Sequence, residues 1–426
     1  MKTIKFGKGL KLDNLMIGEY FIIDKKYVWF PKIITGAKMS NDELNLLKSK
    51  EQISQEDKIK WLSFCDLGTR RPNRSNKVTS LSAFLTTKCN LRCVYCYGSG
   101  GEINLPDLTA EEIEIILQTY PSIKGVNFHG WGEPTLRMDI IRSIVEKYGN
   151  RYNWNIGSNG IYFNRREEIA NFFKKYNFNI TLSLDGIANI NDKQRPLVNG
   201  KGATNEVLKT IKIFQDLDVR FGIRATISKA GLERMIEFIK WLKTLGIKSI
   251  KLEPLWIRGR SKGLTPYDTD PNLVKFGRKL VEAWILGKKI GIKVSSTFLP
   301  FAVRTCFCMA TESTALVLYN NRYLGTCWEE MLYEESPFII GKIEKNKDNK
   351  YKVIMFGDRI NILKKRSNIY MTDSKCIKCP LKYACAGGCP YKSYCNFNSL
   401  NTPGENKQSC KARREILKLI LKETLK

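Results

Sequence analysis

Histidine is almost absent from this chain of 426 residues, with His129 as its single instance. That scarcity argues against zinc, which usually takes four ligands in two pairs of cysteine or histidine. No run approaches the roughly 18 apolar residues that a membrane span needs, and Met1 to Asn14 lacks the apolar stretch of a secretory signal. A cytoplasmic location with no membrane partner is expected. Acidic side chains are the minority, 42 Asp and Glu against 71 Lys and Arg, for a formal net charge of +29. Such an excess suits an acidic partner, or simply a lysine-rich solvated surface. No interleaving of aromatic and basic residues follows the pattern of an RNA-binding module, so nucleic acid is not an expected partner.

Cysteine, by contrast, is plentiful. The chain has 13, most of them clustered. In a chain with no export signal this argues for metal ligation over disulfides. Thr87-Lys-Cys89-Asn-Leu-Arg-Cys93-Val-Tyr-Cys96-Tyr97 places three thiolates on one tight loop. They can hold three irons of a cubane cluster and leave the fourth open.

This loop resembles the cluster-binding motif of the radical S-adenosylmethionine (radical SAM) family, including the aromatic Tyr95 before the last cysteine. The resemblance implies that the open iron chelates the methionine part of S-adenosylmethionine. One-electron cleavage would then give a 5′-deoxyadenosyl radical that takes hydrogen from an unactivated C–H bond, chemistry that the protein aims but the cofactor supplies.

The fold expected is α/β: a partial (β/α)6 TIM-like barrel with a small N-terminal α+β domain and a Cys-rich C-terminal iron–sulfur domain. Residues 1–76 are read as an N-terminal extension. Tyr20 to Asp24 and Tyr27 to Phe30 form a hairpin across Lys25-Lys26, and capping boxes at Ser40–Glu43 and Ser54–Asp57 each start a helix. This arrangement is similar to the winged-helix peptide-recognition domains fused to some radical SAM maturases, and a plain packing extension is the alternative. Thr69 to Lys77 reads as a linker. Residues 77–290 alternate strand and helix six times, as parallel β/α units do. The predicted strands are Ser80 to Thr87, Gly125 to Gly130, Asn153 to Ser158, Asn179 to Asp185, Arg220 to Ile227 and Ser249 to Pro254. Helices are predicted over Thr109 to Tyr120, Leu232 to Leu245 and Asn272 to Leu286.

Candidate site residues fall at the strand ends, where barrels place their chemistry. Gly132-Glu133-Pro134 resembles the family's Gly-Gly-Glu-Pro motif, with Glu133 a candidate acceptor for the cofactor ammonium. Ser158-Asn159-Gly160 is similar to its Thr-Asn-Gly. Ser183-x-Asp185-Gly186, followed by Asp192-x-x-Arg195-Pro196, resembles the peptide- and protein-modifying branch. Arg224 stands where that branch pairs an arginine with the cofactor carboxylate. By this resemblance Tyr95, Gly132, Glu133, Ser158, Asn159, Ser183, Asp185 and Arg224 bind cofactor. His129 reads as a packed core residue before an acid or base.

Residues 291–426 carry nine of the cysteines. Cys376-x2-Cys379-x5-Cys385-x3-Cys389 resembles the SPASM domain, which holds two auxiliary 4Fe–4S clusters. The resemblance implies one cluster on Cys306, Cys308, Cys327 and Cys389, and another on Cys376, Cys379, Cys385 and Cys410. Cys395 could replace Cys306 or Cys410, and Cys65 reads as a buried apolar thiol. Three clusters would lower the formal charge to about +24. Where the family has glycine five residues before Cys327 this chain has Arg322, and Asn320-Asn321 are expected to supply the left-handed turn instead.

Auxiliary clusters can accept the electron that a substrate radical must lose to become a cross-link or thioether. The expected function is therefore a radical SAM maturase acting on a peptide or protein, with an acidic leader as a candidate feature of the substrate and flavodoxin or ferredoxin as electron donor. Small-molecule chemistry such as tetrapyrrole side-chain decarboxylation is the alternative, along with formylglycine formation in sulfatases. Sulfatase-maturing relatives carry an Asp base directly after the cysteine corresponding to Cys327. Here Trp328 follows, then Glu329, the candidate base.

Overall fold

The computed structural model describes residues 4–7, 11–12, 15–16, 19–49, 77–263, 271–330 and 334–425. Contacts divide the chain into two units. The first joins Met1–Arg74, Thr297–Thr311 and Lys364–Lys426, and the second Ser75–Ser296 with Glu312–Leu363.

The second unit is built on one sheet of eleven strands. Seven run parallel, in the order Lys293–Ser295, Ser249–Pro254, Phe221–Ile227, Asn179–Ser183, Asn153–Ser158, Gly125–His129 and Ser80–Phe84. All six expected strands are present, each followed by helix, as parallel crossovers require. Ala315–Leu318 then joins Ser80–Phe84 in parallel. An antiparallel meander, Tyr323–Gly325, Ile339–Lys345 and Tyr351–Met355, completes the sheet.

Local signals explain the helices. Thr109 and Glu112 form a reciprocal capping box at the start of Ala110–Thr119. Asn272 caps Leu273–Ile290, and Gly291 ends it in the left-handed conformation, at φ +78°. The single helix expected over Leu232 to Leu245 is two, Lys229–Glu233 and Met235–Thr244, separated at Arg234. Ser228 caps the first, accepting a bond from the Gly231 amide, so the helical start lies ahead of the predicted one.

The turn before Cys327 also differs from expectation. Asn320 and Asn321 do not take up the left-handed conformation; Arg322 does, at φ +68°. A side chain there costs about 1–2 kcal/mol in sterics. It is offset by what Arg322 reaches, since its Nε and Nη2 meet the two oxygens of Glu112 at 2.7 and 3.2 Å. Glu112 is fully buried, and Tyr351 also donates to it at 3.0 Å. The arginine thus ties the meander to the first barrel helix.

In the first unit, Ile4–Gly7, Tyr20–Ile23, Tyr27–Phe30 and Thr35–Lys38 form an antiparallel sheet. The expected hairpin is present, with Asp24 and Lys25 both at positive φ. Its two central strands are buried at every residue, so both faces must be covered. Tyr20, Ile22, Val28 and Phe30 pack on Leu44 and Leu47 of the helix Asn41–Ser49. Phe21, Ile23, Tyr27 and Trp29 pack on Leu381, Ala384, Leu417 and Leu421. Trp29 Nε1 donates to the Pro380 carbonyl at 2.8 Å. The N-terminal sheet therefore shares a core with the cysteine-rich helices. The helix predicted after Ser54, Cys65 and all of the linker but Lys77 lie outside the described residues.

Removing Arg322 strands the Glu112 carboxylate in the core. Arg322→Ala should cost about 3 kcal/mol, and Arg322→Gly about 1 kcal/mol less because glycine tolerates the turn. Comparing the urea midpoints of the two variants checks both the ion pair and the strain.

Candidate cofactor site at the strand ends

The cysteine loop follows the first barrel strand, and the structure pins it from several sides. The Gly132 amide donates to the Thr86 carbonyl at 3.1 Å, and the Glu133 amide to the Lys88 carbonyl at 2.8 Å. A Cβ on Gly132 would collide with Lys88 O and lie 2.7 Å from Thr86 O. Glycine here lets the end of the second strand run against the residues leading into Cys89.

Two arginines fix the loop's carbonyls. Arg92 Nη1 donates to Cys89 O and Leu91 O, both at 2.9 Å. Arg260, far along the chain, donates to Cys93 O at 2.6 Å and to Gly100 O at 3.1 Å. Neither was singled out from the sequence. Arg92 sits inside the motif, but nothing in the pattern around Arg260 signals a contact across about 167 residues.

The sulfurs receive backbone donors, Leu91 N to Cys89 Sγ at 3.5 Å and Gly100 N to Cys96 Sγ at 3.3 Å. Burial, then the charge of Glu133, pushes the Cys89 thiol up to about 12. Burial raises Cys93 to about 11. Thiols so shifted hold their protons until a metal displaces them. Each of these two also feels the charge of Cys96. Among the described residues no three His, Cys, Asp or Glu side chains close on one point as ligands of a single ion would. A cubane takes one thiolate per iron, so its ligands spread around it. Three neighbouring half-buried thiols with amides directed at two of them fit such a cluster.

Glu133 is the hub beside the loop. Oε1 accepts from Thr135 N at 3.1 Å, Thr135 Oγ1 at 2.7 Å and Ser158 Oγ at 2.8 Å, and Oε2 accepts from Asn159 N at 2.8 Å. Burial raises its pKa while these bonds lower it. Ser158 Oγ also accepts from Gly160 N and Tyr162 Oη. Asn159 donates to Asn90 Oδ1 at 2.7 Å, next to Cys89. Glu133, Ser158 and Asn159, predicted as cofactor ligands, thus bind one another and the loop.

A second network surrounds Tyr95. Its hydroxyl donates to Asp185 Oδ2 and accepts from Arg195 Nη1 at 2.6 Å. Asp185 also accepts from Thr226 N at 2.8 Å and lies 3.7 Å from Arg195. The strand-four aspartate and the arginine of Asp-x-x-Arg-Pro therefore meet on the loop aromatic. Ser183 pairs with Arg224 in register. Among the described residues the Arg224 guanidinium has no hydrogen-bond or ion-pair partner.

Around Phe84 several polar atoms are left without partners among the described residues. They are Tyr97 Oη, His129 Nδ1 and Trp131 Nε1, all buried. His129 stacks on Trp328 with ring centres 4.8 Å apart, and Trp328 Nε1 donates to Ser82 Oγ at 2.7 Å. Burial, then Arg224, lowers His129 to about 4, so it is neutral at physiological pH. Burial, then the charges of Glu329 and Cys96, raises Tyr97. The same tyrosine also feels Arg224 and Cys327, so all four groups lie within electrostatic reach of its hydroxyl. Tyr97 was another residue missed in the sequence.

The first unit holds the other half-buried thiols except Cys327, which belongs to the second. Cys376 feels the charges of Cys385, Cys379 and Cys410, and Cys389 feels that of Cys308. Cys395 is exposed. Among the described residues no helix is long and apolar enough to cross a membrane.

Comparison with known proteins agrees with this picture. Residues 84–242 match the family described as the Radical SAM superfamily. The chain is 32% identical over 203 residues to an uncharacterized protein of Methanocaldococcus jannaschii, covering 46% of this chain and 68% of that one. It is 26% identical over 343 residues to the cysteine-type anaerobic sulfatase-maturating enzyme of Clostridium novyi, covering 73% and 87%. The structure of anSMEcpe with bound AdoMet and a Cp18Cys peptide has the same fold, with a TM-score of 0.65 at 18% identity, covering 81% of this chain and 97% of that one.

Gly132→Ala should push the backbone of residues 86–88 away and loosen the loop. After anaerobic reconstitution the variant is expected to bind about four irons fewer than the parent, the content of one cubane. Iron analysis of the two proteins checks this.

Proposed function

The chain belongs to the radical SAM superfamily, and on that premise we propose that it is a maturase that oxidises a peptide or protein, forming a cross-link or thioether. The observation that carries this reading is the presence, beyond the loop cysteines, of two further groups of neighbouring thiols in the first unit. They suit auxiliary clusters, one on Cys376, Cys379, Cys385 and Cys410, the other including Cys308 and Cys389. Similarity to a sulfatase-maturating enzyme and to a fold solved with AdoMet and a peptide supports the substrate class.

Cys89, Cys93 and Cys96 would hold the cluster that binds AdoMet. When bound, the two supply one-electron chemistry and a radical able to take hydrogen from carbon. The chain's own residues do the rest. Arg224, whose guanidinium has no partner among the described residues, is offered to a carboxylate, and the Tyr95–Asp185–Arg195 network fixes the wall of the site beside the loop. Glu133, Ser158 and Asn159 keep the loop in place rather than moving protons.

Oxidising a substrate carbon also releases a proton. Glu329, close enough to Tyr97 for its charge to act on the phenol, is the acceptor we assign. The departing electron would pass to an auxiliary cluster held by the first-unit cysteines and from there back to the oxidised electron donor, so that AdoMet is the net two-electron oxidant of each turnover. An electron donor of the flavodoxin or ferredoxin type would start each turnover.

The test is anaerobic reconstitution with iron and sulfide, followed by AdoMet, a reductant and a peptide encoded beside the gene. Release of 5′-deoxyadenosine with a peptide lighter by two hydrogens is expected. Glu329→Gln should still release the nucleoside while leaving most of the peptide unoxidised. Nucleoside release with an unchanged peptide from the parent enzyme would overturn the maturase reading for that peptide.

A further inference from the structure

Arg366 is a buried cation that the reading so far does not use. It is 3% exposed. Its Nη2 donates to the carbonyl of Gly387 at 2.9 Å and to that of Gly388 at 3.4 Å, and its Nε is buried without a partner among the described residues. Those carbonyls belong to Cys385-Ala-Gly-Gly-Cys389, which links a ligand proposed for one auxiliary cluster to a ligand proposed for the other. Ala386, Gly387 and Gly388 all have positive φ, at +47°, +80° and +75°. A Cβ on Gly387 would stand 3.0 Å from Arg366 Nη1 and closer still to Ile369. The left-handed turn and its glycine therefore make room for this side chain.

The position matters because of what surrounds it. The charges of Cys389, Cys376, Cys385 and Cys308 all act on Arg366, two from each proposed cluster. Burial lowers its pKa, and the thiolate charges offset part of that. Other cations are more local: Arg414 acts on Cys379 and Cys410, and Arg304 on Cys308. Guanidinium keeps its proton in nearly every protein setting, so Arg366 is a fixed positive charge.

We propose that Arg366 is a positioning residue of the electron path, a buried cation held by the Gly387 and Gly388 carbonyls that raises the reduction potentials of both auxiliary clusters together. This rests on the three-cluster reading above. A thiolate-ligated cubane is anionic and becomes more so when reduced, and an unscreened cation nearby stabilises the reduced form. Higher potentials make both clusters better acceptors of the electron that leaves the substrate.

The experiment is an EPR-monitored redox titration of the full chain, reconstituted anaerobically, in the parent, Arg366→Gln, Arg366→Lys and Lys365→Gln. The parent should hold about twelve irons, three cubanes of four. Arg366→Gln should lower both auxiliary midpoints, Arg366→Lys should restore most of the shift, and the exposed neighbour Lys365→Gln should leave them unmoved. Full iron content with unmoved potentials in Arg366→Gln would overturn the proposal, as would a fall confined to one cluster. If Arg366→Gln loses its auxiliary iron, Arg366→Lys decides. Iron retained at near-parental potentials supports a need for charge, whereas iron lost in both, or potentials lowered in the lysine variant, overturns it. Only about four irons in the parent would end the three-cluster reading itself, a failure distinct from that of Arg366.

Discussion

The close approach of the Gly132-Glu133 backbone to Thr86 and Lys88 is the constraint on which the site depends. Two amide bonds there hold the lead-in to the cysteine loop, and the Glu133 carboxylate, buried and taking four donors, carries the restraint across to Ser158 and Asn159. Burying a carboxylate is unfavourable unless its oxygens are bonded. Here the bonding is what joins the ends of two strands to the loop. Asn159 returns the connection to Asn90, so the circuit closes beside Cys89. The cysteine loop is thereby held both at its lead-in and beside its first cysteine.

Much of this was legible in the sequence, for physical reasons that can be named. The cysteine spacing puts three thiols on one loop, and the structure keeps them half-buried and within electrostatic reach of one another. Strands showed because each is a short stretch with apolar residues followed by a helical pattern, and Thr109–Glu112 and Ser40–Glu43 form the reciprocal bonds their spacing suggests. Contacts between distant segments were not legible. Arg260 looks like any surface arginine until the fold brings it to Cys93, and Arg322 looks wrong for a left-handed turn until Glu112 is seen beside it. The N-terminal strands gave a hint in being apolar on both faces, but sequence cannot say which partner covers the second face.

Glu133 and Ser158 show how positions named by resemblance are built into their surroundings. Motif resemblance names positions, and at these positions the oxygens are already engaged by protein donors. Arg224 differs, presenting a cation with no partner among the described residues. A site able to bind a zwitterionic cofactor needs such unpaired charge next to well-paired scaffolding, and the strand ends supply both. The same division appears in the first unit, where Arg366 is fixed by two carbonyls while its charge remains directed at thiols.

A cluster on Cys89, Cys93 and Cys96 whose fourth iron takes AdoMet is what the proposed activity requires first. It is tested most directly by EPR of the reduced, reconstituted protein with and without AdoMet, in a variant with Cys308, Cys327, Cys376, Cys379, Cys385 and Cys389 replaced by alanine, so that neither auxiliary set keeps three ligands and the loop cluster is seen by itself. A cluster signal that changes when AdoMet is added is the predicted result. A signal indifferent to AdoMet would contradict it.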